Sequence, residues 1–409
     1  MALYTKLAIR NVFRNRRRTL ITLAAMGFGA AAIIVFGGFV NSIYTGVRES
    51  TIRSQIGHIQ LYRAGFSEKG NLAPFDYLIR DYAALRAELM KIEHVKTVTA
   101  RLSFSGLVST GDTTTSFVGA GVDPEGETDL STLAVIVEGK DLTSRDPRGI
   151  ILGVGLARGF GVRPGDDLTL LTSTQSGSIN ALAVKVRGVW ESSEKTYDDR
   201  FLKVPLPEVQ RLLDLERGEV QSIVLLLDRT ENTAIVRERI THLIRERGLD
   251  LEIKTWDELA LRYHQVRGLF GRIFAVLTLI VSIMVAFGIT NTMTMAIFER
   301  TREIGTVMAL GTRRRGVIAM FMLEGVALGV IGGIVGVVLG VTLAKIISAI
   351  GIQLPAPPGS TRGFAVQIAV VPAVLRQAFL LSLTTATLAS LYPAWRAARL
   401  NVVEALRHV

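Results

Sequence analysis

"IFERTREIGTVMALGTRRRG", residues 297–316, is a charged, helix-forming segment set between two apolar runs. Residues 273–298 before it are 26 positions without a charge, and residues 325–344 after it are 20. A helix rises about 1.5 Å per residue, so crossing a hydrocarbon core of about 30 Å takes roughly 20 apolar residues. Two further runs reach that length, 29 residues at 19–47 and 19 residues at 377–395. Core helices of soluble proteins seldom run so long uncharged, so the chain reads as an integral membrane protein with four spans. The expected fold class is four transmembrane helices with a large α+β extracytoplasmic domain between helices 1 and 2.

The net charge of +11 over 409 residues divides unevenly. Residues 48–272 hold 30 basic and 32 acidic side chains, and the remainder holds 17 basic and 4 acidic. The middle section is therefore an ordinary, nearly neutral soluble domain, and the basic excess lies beside the spans. The positive-inside rule reads that excess as cytoplasmic. It places the start (Lys6, Arg10, Arg14, Arg16, Arg17, Arg18), the loop 299–315 and the tail (Arg396, Arg399, Arg407) inside. Both termini are then cytoplasmic, with 48–272 and the loop 351–376 outside. No basic patch is interleaved with aromatics, which argues against nucleic acid. The first apolar run is too long for a signal-peptide core and lacks a cleavage site, so it reads as an anchor.

The expected order is a basic amphipathic helix at 1–18, a span at 19–47, the outer domain at 48–272 and a span at 273–298. A cytoplasmic loop at 299–315, a span at 316–350, an external loop at 351–376, a span at 377–395 and the tail 396–409 follow. Helical pattern continues beyond the membrane at both edges of the outer domain and predicts stalks. Inside it, "GHIQLYR", "VQSIVLLLD" and "LEIKTW" predict strands, and "DYAALRAELMKIEHV" and "TAIVRERITHLIRERG" predict helices. "KTVTARLSFSGLVSTG" and "TTSFVGAGVD" predict paired strands about a turn at Gly111-Asp112. "GIILGVGLARGFGVRPGDDLTLLTS" predicts a small-residue helix, a turn and a strand, within a β-rich insertion at about 126–217. The Pro-rich "LPAPPGSTRGF" predicts a semi-rigid external connector.

In the third span, Gly325, Gly329 and Gly333 recur every four residues, as do Gly332, Gly336 and Gly340. Two side-chain-free faces predict close helix packing in lipid. The chain shows no catalytic signature. Its five histidines are scattered without metal spacing, and Walker A and G-x-S-x-G patterns are missing. Without cysteine there is no disulfide, zinc-thiolate site or thiol catalysis. Gly153–Gly159 ("GVGLARG") and Asp166-Asp167 read as turn and packing residues. Glu324 reads as an interfacial partner of an arginine among 313–315. A chain with stalks, an outer domain and no engine takes energy from a partner. The docking element would be the amphipathic helix of 299–310, with Glu299, Arg300, Arg302 and Glu303 toward water and Ile304, Val307, Met308 and Leu310 available for a groove.

"FERTREIGTVMALGTRRRGVIAMFMLEGVALGVIGGIVGVVLG" resembles the C-terminal module of the MacB/FtsX/LolC-type permeases of ABC transporters. "PAWRAARLNVVEALRHV" is similar to that family's tail, and "LAIRNVFRNRRRTLITLAAMGFGAAAIIVFGGF" to its start. The resemblance implies a second permease subunit (homodimer or paralogous heterodimer) and a separate cytoplasmic ABC ATPase that binds the ATP and Mg, this chain carrying no cofactor and no metal. It maps the ATPase-coupling contact onto Glu299–Leu310, with Gly305 inside it. It also implies mechanotransmission, in which ATP-driven closure below is passed through the stalks to extract or export lipoprotein or other amphipathic cargo from the outer leaflet of the inner membrane. A periplasmic acceptor or adaptor is a further implied partner. "SQIGHIQLY" and the external "LPAPPGSTRGF" look most like the lipoprotein-releasing branch. Macrolide-exporter members usually carry a fused ATPase domain, and cell-division members a smaller outer domain. The alternative is a transducer that activates an extracytoplasmic partner such as a cell-wall hydrolase, without transport.

Overall fold

The computed structural model describes residues 16–70, 72–192, 194–355, 363–402 and 405. The helix expected at 1–18 lies outside these residues up to position 15, as do 356–362 of the Pro-rich connector and most of the tail beyond 402.

The chain enters through the long helix α1 (Arg16–Thr51), which passes into a π-helical turn, Ile52–Ile56. Gly57 ends it at φ 66°, its N–H donating to the Ile52 carbonyl at 2.9 Å. A side chain there would strike Val224, and only glycine adopts that φ without strain. Then follow β1 (Ile59–Arg63), α2 (Tyr82–Leu89), β2 (Val95–Ser109), β3 (Thr114–Val122), α3 (Pro124–Leu130), β4 (Val135–Gly139) and β5 (Gly149–Gly153). Next come α4 (Val154–Phe160), β6 (Asp167–Ser173), β7 (Ile179–Glu191), β8 (Phe201–Pro205), α5 (Leu206–Leu212), β9 (Ser222–Leu227), α6 (Thr233–Arg247) and β10 (Leu251–Thr255). The chain leaves through α7 (Leu261–Glu299), α8 (Thr301–Ala309), α9 (Arg314–Ile350) and α10 (Pro372–Ala397). Between the last two, β11 (Gln353–Leu354) and β12 (Phe364–Ala365) form a two-stranded sheet.

Two compact units result, one of residues 46–264 and 355–364, the other of the rest. In the first, ten strands form one mixed sheet in the order β10-β1-β9-β2-β3-β8-β5-β7-β4, with β6 against β2 and β7. The β3–β8 and β5–β7 pairs are parallel and the remaining pairs antiparallel. The β2–β3 hairpin turns where expected, with Gly111 at φ 99°. All six residues of β9 are buried, because both faces of this inner strand are covered, and after Ser222 its sequence is a continuous apolar run, residues 223–227. Ile59, Leu61, Leu102, Ile223, Leu225 and Ile240 belong to the core beside it.

One expectation needs correction. "GIILGVGLARG" is a strand followed by a helix, since the five residues of β5 are wholly buried between β7 and β8. The segment near 126–217 supplies β4–β8 of the one sheet.

The other unit is helical. Among the described residues four helices, α1, α7, α9 and α10, are long and apolar enough to cross a membrane. Each expected span lies inside one of them. Their ends meet at one end of the bundle, where Arg18 pairs with Glu299, Arg300 with Glu324, and Arg396 lies over Phe298.

Candidate functional site: the charged helix and the connections of the sheet unit

Helix α7 stops at Arg300, whose φ of −111° and ψ of 14° break the ladder before α8 begins. Thr301, Ile304 and Gly305 are buried and Met308 is half-buried, an i, i+3, i+4, i+7 face turned into the bundle. Arg302, Glu303, Thr306, Val307 and Ala309 are exposed, and Leu310 is 83% exposed. Gly311, at φ 95°, donates its N–H to the Met308 carbonyl at 3.0 Å and ends the helix. Nine residues are too few for a helix to persist alone in water. The packed face therefore holds α8 in place, and the outer face stands exposed.

Arg300 was expected toward water, but it is 9% exposed and its Nη1 donates to Glu324 Oε1 at 3.0 Å. Glu324, expected to pair with an arginine of 313–315, takes Arg300 instead because α9 brings it beside the α7–α8 break. Glu299 takes Arg18 of α1 at 2.6 Å, where both side chains remain partly exposed. Ile304 and Met308, expected to be available for a partner's groove, face inward, which leaves Val307 and Leu310 as the accessible apolar groups.

On α9 the glycines face two neighbours. A Cβ at Gly325 would strike Ser390, one at Gly329 would meet Leu383 at 3.0 Å, and one at Gly333 would meet Phe379 at 2.8 Å, all on α10. A Cβ at Gly332 would meet Met26 at 2.9 Å, one at Gly336 would strike Ala30, and one at Gly340 would meet Ile34 at 2.9 Å, all on α1. The glycine faces thus set how closely α9 approaches two helices at once. Gly27 and Ala30 of α1 supply the small opposing side.

In the sheet unit, the connections at both ends are held by charge. Glu194 accepts from Gln55 Nε2 at 3.0 Å and from Arg262 Nη1 at 2.8 Å, so one carboxylate joins the entering and the leaving segments. Arg101 of β2 donates to the Gln55 carbonyl and makes a buried pair with Glu127 at 2.7 Å. Lys203 of β8 reaches the same carboxylate at 2.7 Å and lies 4.8 Å over the Trp190 ring. Burial alone would raise the Glu127 pKa, but Arg101 and Lys203 bring it down to about 2. Beside α1, Thr230 Oγ1 donates to Glu49 Oε1 at 2.8 Å, and Glu49 also pairs with Arg48 and Arg53. His58, fully buried, accepts from Leu227 N on Nδ1 at 3.1 Å and meets Thr230 Oγ1 through Nε2 at 3.0 Å. Burial lowers its pKa to about 4. Sequence reading singled out none of these residues. Partners 26, 76 and 139 positions apart leave no spacing to detect.

Among the described residues, no group of three or more His, Asp and Glu is placed to hold a metal. Residues 19–243 match the family described as MacB-like periplasmic core domain, and residues 273–402 that described as FtsX-like permease C-terminal. An uncharacterized ABC transporter permease of Methanocaldococcus jannaschii is 28% identical over 66% of this chain and 65% of its own length. The lipoprotein-releasing system transmembrane protein LolE of Haemophilus influenzae is 24% identical over 80% of this chain and 81% of its own. The solved periplasmic region of MacB from Actinobacillus actinomycetemcomitans aligns with a TM-score of 0.38 and 17% identity, covering 51% of this chain and 94% of that one.

Proposed function

The chain belongs to the MacB- and FtsX-like family of ABC transporter permeases, and from that premise we propose that it couples a separate cytoplasmic ATPase to work done by its outer domain. The observation that carries this reading is α8. Its inner face is packed and its root is tied down by Arg300 and Glu324, yet Arg302, Glu303, Val307 and Leu310 stand exposed. A helix so fixed, with a mixed charged and aliphatic outer face, suits a groove on another protein. The converging basic ends of the four spans support a cytoplasmic placement for it by the positive-inside rule. Helices α1 and α7 carry the chain into and out of the sheet unit, and Glu194 joins those connections. This supports mechanical transmission rather than threading through a pore.

The cargo we propose is lipid-modified protein or a similar amphipathic molecule lifted from the outer leaflet. Similarity to a relative named for lipoprotein release, over 80% of this chain, supports that class. A second permease subunit completes the proposed assembly.

The test is a mild-detergent pull-down of the tagged chain from its native membrane, assayed for bound subunits and ATP hydrolysis. A stoichiometric ATPase that is lost with Glu303→Arg or Leu310→Asp is the expected result. An unaltered complex in both variants would overturn the assignment of α8.

A further inference from the structure

Tyr392, Trp395, Arg396 and Arg399 stand at i, i+3, i+4 and i+7 along the end of α10 and the turn after it, and all four are exposed. Pro393, Ala394, Ala397 and Ala398, which alternate with them, are buried. Upstream on α10, Leu388 is 70% and Leu391 50% exposed. The outward surface thus passes from aliphatic to aromatic to cationic, the order in which a phospholipid presents chains, glycerol backbone and headgroup. Exposed Tyr and Trp at the end of a span mark the headgroup level.

The two guanidiniums are arranged rather than merely present. Arg399 lies 4.0 Å over the Trp395 ring, and Arg396 lies 5.7 Å over Phe298 of α7, itself 53% exposed. Helices α7 and α10 are packed there, Thr290 Oγ1 donating to the Ala389 carbonyl at 3.2 Å. At the same end of the bundle, Arg18 and Arg300 are neutralised by Glu299 and Glu324. Among the described residues, Arg396 and Arg399 have ring partners but no carboxylate. A guanidinium stacked on an aromatic ring keeps its in-plane N–H groups for a second partner, and its planar fork fits phosphate oxygens.

We propose that this end of the bundle binds one anionic phospholipid, its phosphate between Arg396 and Arg399 and its chains along Leu388, Leu391 and Phe298. The charge complementarity selects an anionic headgroup over a zwitterionic one, whose own cation would face the two arginines.

The chain supplies its own probe. Its three tryptophans are Trp190 and Trp256 in the sheet unit and Trp395 at the site, and the emission lost in Trp395→Phe is the signal that reports on the site. The full-length protein is reconstituted in phosphatidylcholine vesicles containing brominated-chain phosphatidylglycerol or, in parallel, brominated-chain phosphatidylcholine. Half-quenching is expected at a mole fraction of the anionic quencher lower by about fivefold for each arginine engaged. The R396Q/R399Q variant should bring the two curves together, and R396K/R399K should keep part of the preference. Coincident curves in the wild type would overturn the proposal without any variant. So would protection of Trp395 from both lipids, which would mean that protein covers the face. Abolition of the preference by millimolar inorganic phosphate would assign the arginines to a soluble anion instead of a lipid.

Discussion

Arg300 and Glu324 form a buried ion pair, 3.0 Å between Nη1 and Oε1, that ties the start of α8 to α9. Surface pairs of this kind contribute little, but breaking a buried one costs about 3–5 kcal/mol because a desolvated charge loses its counter-ion. Glu324→Gln should therefore lower the unfolding temperature of the detergent-solubilised protein and weaken ATPase co-purification together. Replacing both by methionine should recover most of the stability, since the charges are removed in pairs. Equal losses in the single and double variants would show that the pair does not fix α8.

The glycine faces of α9 make a separate prediction. Gly340→Leu must displace Ile34, whose side chain would lie 2.9 Å from a new Cβ, and Gly333→Leu must displace Phe379 at 2.8 Å. Overpacking of this sort costs on the order of 1–3 kcal/mol. Gly288→Ala in α7 meets nothing within 4 Å and should be neutral or slightly stabilising. Thermal unfolding followed by circular dichroism separates the cases. Identical midpoints for Gly288→Ala and Gly340→Leu would mean that the bundle tolerates wider spacing.

What the sequence disclosed follows from the range of the forces involved. The four spans were legible because membrane thickness sets their length locally. The β2–β3 hairpin was legible because Gly111 marks its turn. Strand β5 was not, because burial on both faces erases the alternation that distinguishes a strand. The helix α8 could be placed, but not which of its apolar residues point inward. That depends on where Phe321 and Val317 of α9 join the same cluster. Glu324 stood out as the single acid in a long apolar stretch, yet its partner was decided by the break at Arg300. The triad of Arg101, Glu127 and Lys203 left no trace, since its members come from strands and a helix that meet only in the folded sheet.

Glu194 yields a prediction about transmission. It is the one carboxylate that accepts from both Gln55 and Arg262 among the described residues. Glu194→Ala should leave ATP hydrolysis by the isolated complex largely intact while lowering its ATP-dependent output, measured as release of cargo from vesicles. The chain has no native cysteine, so a short bis-maleimide bridge between Gln55→Cys and Arg262→Cys can replace the carboxylate. Restored release on cross-linking would show that holding the two connections together is what matters. Full release in the uncross-linked Glu194→Ala complex would rule the clasp out.

His58 makes stability depend on pH in a defined window. Its Nδ1 accepts the Leu227 N–H, so the neutral ring carries its proton on Nε2 and donates to Thr230. A second proton would place an N–H against the Leu227 N–H, inside a core where the ring has no access to water. Burial therefore lowers the pKa from 6.5 to about 4. Above pH 6.5 the imidazole is neutral in both folded and unfolded chains, and its contribution is complete. As the pH falls from 6.5 to about 4 only the unfolded chain takes up the proton, so stability declines throughout that interval. The loss is on the order of 3 kcal/mol, and below the folded pKa this slope ends. Glu127, with its pKa near 2, adds a separate loss only below its ordinary value of 4.5. Denaturant unfolding of the full chain at pH 7.5 and 5 should show the decline in the wild type and a much smaller one in His58→Gln. An equal decline in both would place the sensitive group elsewhere and leave His58 a packing residue.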